Sequence, residues 1–180
     1  MFRGPAIRAH SALALWLMTL CAAPAQTAVE AWVQRYSHPG DSRDSAQKVV
    51  TDNAGNVIVA GYTDDRISGA DFLIIKYSGA GMPLWTNRYN GPGNADDYAN
   101  AVAVDGSGNV FVTGSSDGIG TGPDYATVGY SSSGVPLWTN RYNGVGTNLW
   151  DQAAAIAVDS GGNVFVTGSS ENRPDRKSVV

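Results

Sequence analysis

The nine residues PLWTNRYNG stand at positions 83–91 and again, unchanged, at 136–144. Trp32, Trp85 and Trp138 are each 53 residues apart, and Asp52, Asp105 and Asp159 follow at intervals of 53 and 54. GNVIVAG begins at Gly55, and GNVFVTG begins at Gly108 and again at Gly162; the last two extend to an identical GNVFVTGSS. A period this long reports one supersecondary unit written several times. Such a unit cannot bury its apolar face alone and must stack on its neighbours. The third copy has one extra residue between Gly146 and Asp151, which a loop absorbs and a paired strand does not.

The central copy reads as four short strands. AVAVD at 101–105 is small and β-branched, and the turn DGSGN at 105–109 is rich in residues that tolerate positive φ. NVFVTG at 109–114 favours the pleat through Val, Phe and Thr. A Gly-rich loop at 115–123 leads to DYATVGY at 124–130; SSSGVP turns the chain into LWTNRY at 137–142. Two tight turns and no helical periodicity indicate an antiparallel meander. Four strands in roughly 40 to 50 residues, repeated, describe a propeller blade.

Two segments stand apart from the repeat. Residues 1–10 hold Arg3 and Arg8 and no acid, ALALWLMTLCAA at 12–23 is apolar, and Ala23, Pro24 and Ala25 are small. That order is the layout of a secretory signal peptide, with cleavage expected after Ala25. The apolar run falls well short of the ~20 residues of a membrane-crossing helix, which argues against a retained anchor. Leu20 stands where a lipidated Cys21 would need a small residue. The leader removes the single Cys, so the mature domain at 26–174 rests on packing and hydrogen bonds. Ten of the 12 Lys and Arg remain against all 16 acids, a net charge of −6. That sign argues against nucleic acid, whose phosphates draw on clustered Lys and Arg. The expectation is a secreted or cell-surface protein with no membrane contact after signal cleavage.

The other segment is DRKSVV at 175–180, which matches nothing in the repeat. GATCGGAAGAGCGTCGTG encodes it and resembles the start of a common sequencing adapter. On this reading the tail is non-native and the natural protein continues past Pro174. The alternative is a short native tail, which a genomic stop codon after Val180 would establish.

The combination W-x-x-R-Y, D-x-A-x-A-(I/V)-A-V-D, G-N-V-(F/Y)-V-T-G and D-(Y/F)-x-x-x-x-Y resembles the bacterial seven-bladed beta-propeller repeat family, with its SBBP-type repeats, from Trp32 to about Pro174. The resemblance implies an all-β fold, a partial β-propeller of four-stranded antiparallel blades with AVAVD innermost and LWTNRY outermost. It implies no reaction, because the family is defined by architecture. Trp85 and Trp138 then fill the wedge that widens between blades with radius, where a large aromatic buries more area than an aliphatic residue. Ala101, Ala103, Ala155 and Ala157 are small, as the crowded channel side requires. Ligand stacking by the tryptophans is the alternative. Stable propellers have about four to eight blades, and this chain encodes fewer than three. Either further blades of the same full-length chain complete the ring, or copies self-associate.

In an up-and-down blade the long loops share one face. Ten of the fourteen aspartates lie in or beside them: Asp41, Asp44, Asp64, Asp65, Asp71, Asp96, Asp97, Asp117, Asp124 and Asp151. Asp96, Asp97, Tyr98, Asp117, Asp124, Trp150 and Asp151 form the candidate binding face. Such a face attracts cations or basic partners, although Asp also simply suits exposed loops. Trp150 takes the place of Arg43 and Asp96 and so departs from the blade pattern; it is either a contact residue or a neighbour packed on Leu149. Asp44, Asp97 and Asp151 are expected to accept backbone N–H groups where the chain enters each inner strand. The hairpin series D-x-x-G-N resembles a calcium loop but lacks its alternating carboxylates and terminal Glu, so Asp52, Asp105 and Asp159 read as turn residues. Ca²⁺ is the one cation considered, and no other cofactor is expected. The mature chain has one His, His38, two Glu and no Cys, from which no catalytic base and nucleophile can be paired. The favoured function is a non-catalytic scaffold displaying acidic loops to a protein, a glycan or a hard cation. The alternative is the propeller portion of a larger exported enzyme whose catalytic residues lie elsewhere.

Overall fold

A computed structural model describes residues 29–38, 43–64, 66–144 and 149–171, and the backbone of Arg176–Val179. The leader at 1–25, Asp41, Asp65 and Asp175 lie outside the described residues. Every regular element among the described residues is a strand. Blade 1 holds β1 (Arg43–Thr51), β2 (Val57–Asp64), β3 (Ala70–Tyr77) and β4 (Pro83–Tyr89). Blade 2 repeats them as β5 (Asp97–Val104), β6 (Val110–Gly118), β7 (Gly122–Tyr130) and β8 (Pro136–Tyr142). Blade 3 contains β9 (Asp151–Val158), β10 (Val164–Glu171) and β11 (Arg176–Val179). Each is an antiparallel sheet in sequence order. β5 lies against both β1 and β9, so the first strands gather together and the LWTNRY strands form the far edges.

The repeated motif explains the local geometry. Asp52, Asp105 and Asp159 each accept the backbone N–H groups two and four residues on, at 2.9 Å, and the following Asn side chain closes on the second carboxylate oxygen. These are turns, as the sequence indicates. Each inner strand carries a β-bulge opposite the last Gly of GNVxVxG. At Gly114 an added Cβ would overlap the Tyr98 carbonyl oxygen, and Gly61 and Gly168 meet the same obstacle at Ser45 and Gln152. The motif therefore ends in Gly because a neighbouring backbone crosses there.

One expectation is corrected. The sequence places residues 115–123 in a loop, yet β6 continues through Gly118 and β7 begins at Gly122. Asp117 consequently stands on a paired strand, beside Asp124 on the third strand as expected. Residues 176–179 of the tail contribute β11, which pairs with β10 from Gly168↔Val179 to Glu171↔Arg176. An unpaired edge of N–H and C=O groups accepts almost any extended segment, and β11 takes the register of β7 residues 123–126.

The main core lies between blades 1 and 2. Ile58, Ala60, Phe72 and Ile74 of blade 1 pack on Ala99, Val102, Val110, Val112, Ala126, Val128 and Tyr130 of blade 2. Fully burying each larger side chain contributes roughly 1.5–3 kcal/mol. Trp85 spans the outer part of this seam. Its ring lies 6.0 Å from Tyr130, its indole N–H donates to the Ser132 carbonyl at 3.1 Å, and its Cγ would sit 2.7 Å from a Cβ on Gly134. Trp32 repeats this on blade 1, against Tyr77 at 5.8 Å and the Gly79 carbonyl at 3.1 Å. Trp85 thus fills the wedge between blades as expected. Trp138 instead stacks on Phe111 of its own blade, beside an open cleft of about 500 Å³ lined by Tyr125, Tyr142, Val164 and Val166.

Candidate binding face

The long loops meet where each blade passes its chain to the next. Asp44, Asp97 and Asp151 sit at the entries to the inner strands and accept the backbone N–H of His38, Gly91 and Gly144. Asp97 and Asp151 are fully buried. Burial raises the Asp97 carboxyl to about 6 against the lowering effect of Ser116 and Gly91, with the Asp71 charge adding to the rise. Asp124 is also buried; its carboxylate takes Arg141 at 3.0 Å and the Thr121 hydroxyl at 2.9 Å. Blade 1 repeats the pair as Asp71 with Arg88, joined by Ser68. The Arg of W-x-x-R-Y therefore neutralises a buried carboxylate of the third strand. Arg141 also donates to the Tyr89 hydroxyl of blade 1 at 3.2 Å, which ties the outer strands of two blades together.

Asp96, Tyr98 and Asp117 form a cluster in front of these buried groups. The Tyr98 hydroxyl donates to Asp96 at 3.1 Å, Asp96 accepts the Ala70 N–H of blade 1 at 3.1 Å, and the Asp117 N–H donates to the Asp96 carbonyl at 3.1 Å. The Tyr62 ring meets Tyr98 edge to face at 4.9 Å. Burial, then the Asp96 carboxylate, holds the Tyr98 phenol at about 12, with Asp64 adding to the effect. Burial and the same carboxylate push Asp117 upward. Tyr98 is thus a proton donor to Asp96, with Asp64 also acting on the phenol and Asp117 bonded on the far side of Asp96.

Trp150 is exposed, and its carbonyl accepts the Glu171 N–H at 3.0 Å, just as Asp96 accepts from Asp117. It is the register equivalent of Asp96, as the sequence alignment places it. The structure therefore divides the candidate residues. Asp97, Asp124 and Asp151 are internal and committed to chain partners, whereas Asp96, Tyr98, Asp117 and Trp150 reach the surface. Sequence reasoning missed Tyr62. It stands where the other copies have Ser115 and Ser169, and that departure from the repeat was the available signal. Among the described residues, no group of three His, Cys, Asp or Glu side chains is placed to hold a metal ion.

Comparison with known families is consistent with this architecture. The family model SBBP, described as a beta-propeller repeat, matches residues 85–120. That stretch begins on β4 of blade 1 and ends beyond β6 of blade 2, so the sequence unit straddles a seam between blades. No curated protein matches the chain.

Proposed function

We propose that this chain, which carries the SBBP-type beta-propeller repeat at residues 85–120, is an exported, non-catalytic scaffold that presents its long-loop face to positively charged partners. The observation supporting this is the Tyr98 cluster. Asp96 and Asp64 act on one phenol at the junction of two blades, Asp117 pairs its N–H with the Asp96 carbonyl, and the pair Asp96–Tyr98 is anchored to both blades. Asp64, Tyr98 and Asp117 stand on strands and Asp96 is bonded to Ala70, Tyr98 and Asp117, so their negative potential is held in place and attracts basic protein segments. Tyr62 and Tyr98 add amphipathic surface of the kind enriched at interfaces.

A decalysine peptide titrated against the chain tests the reading. Binding should weaken steeply with salt, and Asp96→Asn with Asp117→Asn should reduce affinity by roughly tenfold, at about 1.4 kcal/mol per decade. Binding unaltered by the double substitution would reject this face. Calcium is tested separately by thermal melting, and an unchanged Tm at millimolar calcium removes that ion as a ligand.

A further inference from the structure

The segment PLWTNRYNG closes each outer strand with an Asn–Gly pair, Asn90–Gly91 in one copy and Asn143–Gly144 in the other. Both pairs are tied to a carboxylate. The Gly91 N–H donates to Asp97, and the Gly144 N–H donates to Asp151 at 2.6 Å. An added Cβ on either glycine would overlap a serine hydroxyl, Ser116 in one copy and Ser170 in the other. The repeat thus brings a backbone nitrogen to the acid where a side chain has no room. Asp151 is fully buried, and its second carboxylate oxygen has no hydrogen-bond partner among the described residues. A buried carboxylate that holds the N–H of a potential nucleophile at this distance meets the geometric condition for a general base.

The two copies differ in how the asparagine is held. The Asn90 side-chain amide donates to Asn94 at 2.8 Å, and the Asn94 N–H is fixed in turn on the Gly91 carbonyl at 3.1 Å. Asn143 is exposed and has no side-chain hydrogen bond among the described residues. Val145 follows its glycine where Pro92 follows the other, and the run to Asp151 is one residue longer. The same acid and glycine therefore stand beside one restrained amide and one unrestrained amide.

We infer that Asn143 and Gly144 close to a cyclic imide, with Asp151 as the base. The Gly144 nitrogen bonds to the Asn143 Cγ while its proton passes to Asp151. The Cγ–Nδ2 bond then breaks, and Asp151 returns the proton to the departing ammonia. Water opens the imide at either carbonyl, which leaves aspartate or isoaspartate at position 143. No oxidant or reductant takes part. The product adds a negative charge to the long-loop face where the chain passes from blade 2 to blade 3. Isoaspartate also inserts a methylene into the main chain there.

The test is peptide mapping by mass spectrometry of the full chain held at neutral pH, with ammonia release followed in parallel. Conversion at Asn143 should run roughly tenfold faster than in the isolated peptide RYNGVG, and ahead of Asn90 by a similar factor. Asp151→Asn should bring Asn143 down to the rate of the free peptide or below while the β-sheet circular dichroism is kept. Asn94→Ala should speed conversion at Asn90, where Asp97 already accepts the Gly91 N–H; this arm stands even if the Asp151 variant does not fold. Conversion in the folded chain no faster than in the peptide, equal rates at the two asparagines, or an undiminished rate in folded Asp151→Asn would each overturn the inference. So would an Asn90 rate unmoved by Asn94→Ala.

Discussion

GNVFVTGSS occurs at 108–116 and 162–170 with no difference in sequence, yet the two copies live in different surroundings. In β6 the residues from Val110 to Ser116 are all buried, whereas in β10 Val164, Phe165, Val166 and Thr167 alternate between half-buried and exposed. Both copies form the same hairpin with the same bulge. Local hydrogen bonding and the close approach at the terminal Gly are therefore written in the segment. Burial comes from the blades on either side. β6 has blade 1 before it and blade 3 behind it; among the described residues β10 has only blade 2.

The sharpest way to break this comparison is to shorten the shared Phe. Phe111→Ala should cost about 3–5 kcal/mol in urea denaturation, because the cavity opens beneath Trp138 and blade 3. Phe165→Ala should cost less than about 1 kcal/mol in the same measurement. Equal losses would mean that blade 3 is covered in the single chain.

The second test uses the Arg of W-x-x-R-Y. Arg141→Ala strips the partner from the buried Asp124 carboxylate, and removing one member of a buried pair costs about 3 kcal/mol. Arg35 is exposed, so Arg35→Ala should stay within about 0.5 kcal/mol in the same measurement.

The smallest effect is a pH slope. Asp97 has a folded pKa of about 6, above the ~3.9 of an unfolded Asp. The native state therefore holds the extra proton between those values, and stability falls as pH rises from ~4 to about 6. The facing charges are Asp71 and Arg141. Asp97→Asn should flatten this slope in urea midpoints taken across the window. Asp52 works in the opposite direction. Burial alone would raise its carboxyl, but Lys76 at 2.8 Å and Asn56 hold it at about 2. Its contribution is present above ~3.9 and is lost as pH falls toward 2.

Much of the fold was legible before any coordinates. The 53-residue period fixed the blade and the D-x-x-G-N turns fixed the hairpins, but recurrence alone did not tell Trp85, which fills the seam, from Trp138, which stacks on its own blade. The site was less legible. Asp97 and Asp151 read as caps of the inner strands, which the Gly91 and Gly144 N–H groups bear out, but the same reading places them and Asp124 on the binding face, since an exposed and a buried aspartate have the same letter. Only the arrival of Gly91, Arg141 and Gly144 distinguishes them. The Tyr62–Tyr98 contact joins residues from different blades, so no local pattern could announce it.

By itself, the sequence determined the strand quartet, its turns and the order of its strands, because these depend on propensity, turn chemistry and hydrogen bonds between neighbours in the chain. Tertiary structure alone decided which copy of an identical segment is core and which is surface. It also decided which carboxylates are internal. The physical reason is that burial and charge pairing belong to contacts between blades, and those contacts are set by what stands on either side.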